Sequence, residues 1–256
     1  MGVSMATAEL WVDRWERQQR RYAIQREERF AVLADVAEYA TRGVSRPLLV
    51  DLGCGPGSLA ARVARRVPRA ELVAVDRDPL LLELARTHHA DAARYVEAVL
   101  GADGWVEELG LTRAPDAVLS ATALHCLSAA TLARTYRQVA AVLRPGGVLV
   151  NADHFPEDTP EGDPAGSALA AHLGRSRLAA TLRGDEPDWE SWWRGVAGDP
   201  ELADLCAERA RRPAGEEGPD NGLSFAAHAR LLRAAGFRAV STVWQYGESR
   251  VLVAFC

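Results

Sequence analysis

Residues 48–58 read Leu-Leu-Val-Asp-Leu-Gly-Cys-Gly-Pro-Gly-Ser, an apolar run that ends at an acid and three glycines, Gly53, Gly55 and Gly57. A segment apolar on both faces is what a parallel sheet asks of its strands. The glycines suit a sharp turn into a helix that lets a ligand touch the backbone. Asp51 stands in this turn, and a second acid, Asp76, ends the next apolar run, Glu71 to Val75, 25 residues further on. At a strand end such a carboxylate can accept both hydroxyls of a ribose. Together the two acids restrict the ligand. A dinucleotide loop seats pyrophosphate on the helix N-terminus, where Asp51 would repel it, and here the third glycine comes one place early for that fingerprint. A ligand that brings a cationic amino-acid end and a ribose satisfies both acids.

Outward from this turn, short apolar runs alternate with helical periodicity between Leu48 and Val150, which predicts βαβ units and a parallel sheet. The expected strands are Leu48 to Leu52, Glu71 to Val75, Arg94 to Val99, Asp116 to Ser120 and Gly147 to Asn151. Between them Ser58 begins one helix, Asp78 followed by Pro79 begins another, and Ser128 caps a third. Near the end, Ser224 caps a helix closed by Gly236, and Phe237 to Gln245 with Arg250 to Phe255 predicts a terminal hairpin. Two accessories lie outside this scaffold: a charged helix or helix pair over residues 6–42, and an insert over residues 155–222 with one helix near Ala165 to Arg183 and another containing Trp189, Trp192 and Trp193. With Trp11 and Trp15, the accessories hold five of the seven tryptophans. These are core-packing residues or an apolar wall over a ligand at the strand ends.

The 256-residue length suits one decorated domain, and 48% hydrophobic residues provide a full core. All 30 basic residues are arginine, so no lysine exists for a Schiff base or a Walker loop. A net charge of -5 offers no bulk field for nucleic acid. Cys54, Cys126, Cys206 and Cys256 show neither a disulfide framework nor zinc spacing, and no metal is expected. Without a signal-peptide pattern or a long apolar run, the expectation is a cytoplasmic protein with no membrane contact, as a monomer or homodimer.

Val50-Asp-Leu-Gly-Cys-Gly-Pro-Gly57, Val73-Ala-Val-Asp76 and Leu143-Arg-Pro-Gly-Gly-Val-Leu149, in that order, resemble the class I S-adenosylmethionine-dependent methyltransferases. The resemblance covers residues 46–152 and continues through the closing helix and hairpin; its motifs mark the superfamily and say little of substrate. It implies an α/β fold: a Rossmann-like, mostly parallel seven-stranded sheet whose last strand is antiparallel, with helices on both faces and a helical cap. The implied division is a cap over residues 1–45, a cofactor-binding core over 46–154 and 223–256, and a substrate-side insert over 155–222. S-adenosylmethionine is the implied cofactor, with Gly53, Cys54 and Gly55 approaching its methionine part beside Asp51, and Asp76 with Arg77 along its ribose. The family commonly ends its third strand in an acid that contacts the adenine amino group; here Val99 stands there. Adenine is then held by the backbone around Leu100 with apolar packing, or by a loop that brings in Asp103. Ser120 and Ala121 end the fourth strand beside the cofactor. Tyr22 and Arg29 lie on the N-terminal helices, which resemble a lid, and Arg29 could pair with the cofactor carboxylate or simply belong to a solvated face.

Methyl transfer from a sulfonium is an in-line displacement that asks the protein mainly to position a nucleophile and, where needed, take a proton. His125 follows the fourth strand and His154 the fifth; each is a candidate general base or a loop histidine that shapes the pocket, with Asp153 a lesser candidate. His88 and His89 read as surface residues. Ser120-Ala-Thr-Ala123 replaces the Asn/Asp-Pro-Pro-Tyr that resembles base and glutamine methylation. The expected activity is methylation of an oxygen, nitrogen or carbon of a small, partly apolar or aromatic molecule, a type of reaction found in secondary metabolism. Alternatives are a cofactor-keeping enzyme that catalyses cyclisation, decarboxylation or rearrangement, and a nicotinamide-dependent reductase.

Overall fold

The computed structural model describes residues 2–156, 164–182, 187–212 and 220–256. Among them the strands form one sheet in the order β3-β2-β1-β4-β5-β7-β6, with β1 at Leu48–Leu52, β2 at Glu71–Asp76, β3 at Arg94–Glu97, β4 at Ala117–Ala121, β5 at Val148–His154, β6 at Ala239–Tyr246 and β7 at Ser249–Phe255. Strands β1 to β5 pair in parallel, and β7 runs antiparallel between β5 and β6. The α/β sheet is therefore the seven-stranded, mostly parallel one expected. Its chain order reverses beside β1, and open α/β sheets form their crevice at such a switch point.

The local rules that set these elements are legible in the chain. Asp78 accepts from the backbone of Leu80 and Leu81 and Pro79 fills the first turn of α4, Pro79–His88. Ser128 caps α6, Ala129–Val142, and Ser224 caps α10, Phe225–Ala235, which ends at Gly236 with φ 111°. Both faces of the sheet are covered. One carries α2, Arg26–Ala40, and α3, Ser58–Arg66, over Leu49, Ala74, Leu119 and Val150; the other carries α6 and α10 over Leu52, Val118, Leu149 and Leu252.

A third core lies to one side. Helix α1, Met5–Gln19, packs Trp11 and Trp15 on α4 and on α8, Trp189–Ala197, from the insert. Trp192 is 1% exposed and its indole edges meet Trp11 and Trp15 at ring-centroid distances of 5.8 and 5.0 Å. The described residues of the insert also form α7, Pro164–Thr181, beside β6, a 3-10 turn at Pro200–Leu202, and α9, Ala203–Arg211, beside α4. Residue 183, where the first insert helix was expected to end, lies outside the described residues. The sequence pattern alone did not separate α9 from α8.

Strand β5 extends to His154, so Asp153 and His154 belong to the strand rather than to the loop after it. In the other direction, β3 stops at Glu97. The backbone of Ala98 still donates to Asp76 O, and the chain then turns away, leaving Val99 51% exposed.

Candidate functional site

The glycine turn is shaped as much by its own protein as by any ligand. Gly53 and Cys54 both donate to Val75 O, at 2.8 and 3.0 Å, which folds the end of β1 over the end of β2. Gly53 has φ 67°, and a Cβ there would lie 2.4 Å from Ala123 Cβ, so the loop after β4 forbids any larger residue. Gly57 opens α3 with φ 86°, and a Cβ would meet the Tyr95 hydroxyl at 2.8 Å. Asp76 then braces the turn: Oδ2 accepts from Gly55 N at 2.8 Å and Oδ1 from Asp78 N at 2.9 Å.

These residues border a cavity of about 260 Å³ at the strand ends. Asp51, Gly53, Cys54, Gly55, Asp76 and Arg77 form its floor with Ala98, Leu100 and Ala121; Trp15, Gln19, Arg26, Trp189 and Trp193 roof it. Trp15 is the roof over the turn, its Cζ2 3.5 Å from where a Gly55 Cβ would stand. Arg209 of α9 locks the side of the roof, lying 3.9 Å over the Trp193 ring and bonding Asp78 Oδ2 at 2.5 Å. Arg26 is held by Glu16, which also accepts from Ser58 and Arg62. Burial alone would lift the Glu16 carboxyl, but those arginines bring it down to about 2.

The floor lacks such compensation. Asp51 is 1% exposed and its Oδ2 has no hydrogen-bond partner. Burial, then the neighbouring Asp76 charge, push its carboxyl up to about 7. Asp76 rises to about 6 through burial, against the backbone N–H groups that it accepts. Burial also lifts the Cys54 thiol well above its ordinary range. Two close carboxyls with an unused oxygen form a site short of positive charge.

Several expected site residues lie elsewhere. Val99 does not reach the cavity, because β3 ends two residues before it. Leu100 and Ala98 do reach it. Ser120 is buried and donates to Leu52 O at 2.9 Å, stitching β4 to β1 instead of facing the cleft. Tyr22 lies in the turn between α1 and α2 rather than on a helix and is 51% exposed; its hydroxyl accepts from Trp189 N and ties that turn to α8. Arg29 is buried against β5 and donates to Ala152 O, away from the glycine turn. His89 is half-buried near Gly57, and burial lowers its imidazole to about 4, so it is not the surface residue expected. His154 lies 3.8 Å from Glu248 on the hairpin turn, outside the cavity.

His125 does not border the cavity either; it lies beside Cys126, which does, and occupies a different constellation. It sits in a single 3-10 turn, Leu124–Cys126, just after the loop that carries Ala121, Thr122 and Ala123 into the cavity wall. Thr122 is left-handed, φ 51°, and donates to Ala152 O at 2.9 Å. His125 Nδ1 lies 2.8 Å from Asp153 Oδ1, while its backbone N donates to Asp153 Oδ2 at 3.3 Å. Asp153 is 1% exposed and also accepts from His154 N. Burial would lower the His125 imidazole, but Asp153 raises it to about 11 by charge and hydrogen bond, so at neutral pH the ring is an imidazolium and not a base. The same partnership, with Arg29, holds Asp153 low against its burial. Sequence patterning missed Arg26, Gln19 and Arg209, whose side chains meet the site only through helices that fold over it.

Among the described residues no group of three or more His, Cys, Asp or Glu side chains could hold a metal ion, and no helix is long and apolar enough to cross a membrane.

The sheet order and the acid-flanked glycine turn can now be set beside known proteins. Residues 49–147 match the methyltransferase domain family. The chain is 34% identical over 158 residues to a trans-aconitate 2-methyltransferase of Methylobacterium radiotolerans, a stretch that is 61% of this chain and 49% of that protein. It thus spans about half the length of that relative. The fold of the CurJ carbon methyltransferase matches with a TM-score of 0.56 at 18% identity, over 88% of this chain and 53% of that one. Human N-acetylserotonin methyltransferase in complex with S-adenosylmethionine gives 0.52 at 15% identity, over 90% and 56%. Over residues 49–147 the chain is thus similar to a methyltransferase domain, and it shares its fold with solved methyltransferases, one of them holding S-adenosylmethionine.

Proposed function

We propose that the protein transfers a methyl group from S-adenosylmethionine to a small molecule, in the manner of enzymes of secondary metabolism. The observation that carries this reading is Asp51, a buried carboxylate with an unused oxygen in the floor of a cavity that holds a second acid and an aromatic roof. The residues present fit the cofactor. Asp51 would neutralise a cationic amino-acid end, Asp76 would take a ribose diol with oxygens already oriented by Gly55 and Asp78, and Leu100 with Ala98 would border the adenine. The cofactor supplies a sulfonium methyl that a nucleophile can displace.

The chain's own contribution is orientation and exclusion of water. Trp15, Trp189 and Trp193 roof the floor, and a water-poor cleft strengthens every charge interaction within it. The acceptor would enter past Thr122, Ala123 and Cys126, which wall the other end. Since His125 is held protonated, a nucleophile that must lose its proton would have to arrive ionised or lose it to water.

Titration calorimetry with S-adenosylmethionine tests the first half of the reading: wild type should bind, and Asp76→Ala should bind far more weakly. Equal affinities would contradict it. The second half needs methyl-labelled cofactor and a panel of small acids, phenols and amines that begins with trans-aconitate, the molecule in the name of the relative. Label in the product supports transfer; turnover without label would move the assignment to a rearrangement that keeps the same cofactor pocket.

A further inference from the structure

Most of the charged groups in the roof and floor have roles already described, but the cluster at the ends of β4 and β5 does not. There one buried carboxylate, Asp153, faces two cations: His125, which grips both its oxygens through ring and backbone, and Arg29, which reaches across from α2. Arg29 is 3% exposed, donates to Ala152 O, and keeps a buried Nε with no hydrogen-bond partner. Within this trio one negative charge meets two positive ones; the further acid nearby is Asp220, next to Asn221, whose backbone N donates to His125 O at 2.8 Å. A buried excess charge is costly unless something neutralises it. His228 of α10 also feels Asp153, yet burial lowers its imidazole to about 4 and leaves it a neutral partner of Tyr136, so it adds no charge. Cys126, the remaining titratable neighbour on the same turn, hydrogen-bonds the imidazole and lines the cavity.

The cluster's position gives the excess a use. Thr122 and Arg29 converge on the same carbonyl, Ala152 O, so the strained loop that walls the cavity and the buried arginine are pinned to one point of β5. About three-quarters of the His125 side chain is buried and the rest is open. Nδ1 and the backbone N are given to Asp153, so a ligand would meet the ring's other edge, which it would share with the Cys126 thiol.

We propose that His125, clamped by Asp153, is an acceptor-binding residue that receives a carboxylate of the methyl acceptor, and that Asp153 is the positioning residue that keeps it charged and oriented. The inference rests on the methyl-transfer reading for the identity of its ligand, though not for the chemistry of the site. A carboxylate is a matching anion because it is ionised from about pH 5 upward, across the neutral range in which the histidine is also charged. The role differs from that of a general base, which needs an imidazole free to lose its proton near neutral pH.

The test uses the whole chain, nitrogen-15-labelled at histidine, with benzoate as the carboxylate probe and benzamide as its neutral counterpart, each with and without the demethylated cofactor. In wild type, both ring nitrogens of His125 should remain protonated past about pH 9, and benzoate should bind alike at about pH 6 and pH 8.5. Asp153→Asn should return the imidazole to titration near about 6.5, with benzoate held at the lower pH and bound about tenfold or more weakly at the higher. His125→Gln should lose about ten- to hundredfold at both, with benzamide unaffected. Melting curves for each variant separate a failure to fold from a loss of the site, and His125→Gln carries the test should Asp153→Asn not fold. Benzoate affinity indifferent to His125→Gln, or no better than that of benzamide, would overturn the proposal. Failure of S-adenosylmethionine to bind wild type would instead strike the methyl-transfer reading, and the ring titration and cofactor-free benzoate measurements would still judge this one.

Discussion

Around the ends of β1 and β2 the cleft is walled by Asp51, Asp76 and Asp78 beneath three indoles, whereas around the ends of β4 and β5 a single carboxylate, Asp153, answers to His125 and Arg29. In the first region Arg209 is given to Asp78 and Arg26 to Glu16, and the Asp51 carboxyl keeps an unused oxygen; in the second one carboxylate meets two cations. A field divided in this way orients a charged ligand pair before any contact forms, because each end repels the partner meant for the other. Burial raises the carboxyls of Asp51 and Asp76, and it acts on Asp153 in the same direction, but there the charges of His125 and Arg29 reverse it.

The contrast breaks most directly at Asp51. Asp51→Asn keeps the shape and removes the charge, and loss of a buried charge partner should weaken S-adenosylmethionine by about hundredfold or more in calorimetry. The same variant should be more stable than wild type without cofactor. Because the folded carboxyl is raised to about 7 from an ordinary value near 4, ionising it costs stability as pH climbs through that window, and none below it. Chemical denaturation at about pH 8 should therefore favour Asp51→Asn by about 1–3 kcal/mol, with the gain gone near about pH 4. A destabilised variant at the higher pH would mean that the acid is already satisfied in the empty protein.

Gly53 sharpens the comparison because it touches both regions, one through the turn and the other through Ala123. A methyl group placed 2.4 Å from Ala123 Cβ on a left-handed residue should cost about 1–3 kcal/mol of stability. Ala123→Gly should restore part of it by removing the clash while leaving the backbone strain. If the double variant melts no higher than Gly53→Ala, packing between the two loops is not what demands the glycine.

How far the chain announces this arrangement differs between the same regions. At β1 and β2 almost everything is local: the acid, the glycines and Asp76 lie in or beside strands whose apolar runs are plain, so their juxtaposition follows from parallel pairing of Leu52 with Val75. At β4 and β5 the outcome depends on details that short-range patterns do not carry. The expected ends of two strands missed by two or three residues, which leaves Val99 outside the cleft and puts Asp153 within the sheet. Ser120 has the right place in sequence but points across to β1, since side chains alternate along a strand. Arg29 and Tyr22 illustrate the same limit, because which face of α2 meets β5 and how the turn between α1 and α2 meets α8 are decided by tertiary packing. The high imidazolium character of His125 was hidden for this reason too: its partner is 28 residues away and visible only once β5 is known to continue.

The region around the ends of β1 and β2 also has a closure. Arg209 holds α9 to Asp78 while stacking on Trp193, and Arg212 reaches Glu97 at the end of β3 at 2.6 Å. Both arginines are more than two-fifths exposed, so each ion pair contributes modestly and is screened by salt. Arg209→Ala should accordingly leave the fold intact and raise the S-adenosylmethionine dissociation rate about two- to fivefold, read in stopped-flow tryptophan fluorescence from Trp15, Trp189 and Trp193 around the cavity. Raised salt should produce much of the same acceleration in wild type and little more in the variant, since salt and substitution remove the same interaction. Acceleration by salt of equal size in both proteins would place the closure in the indole packing alone, and Trp189→Ala would then be the variant that opens the cofactor end while leaving the His125 region unchanged.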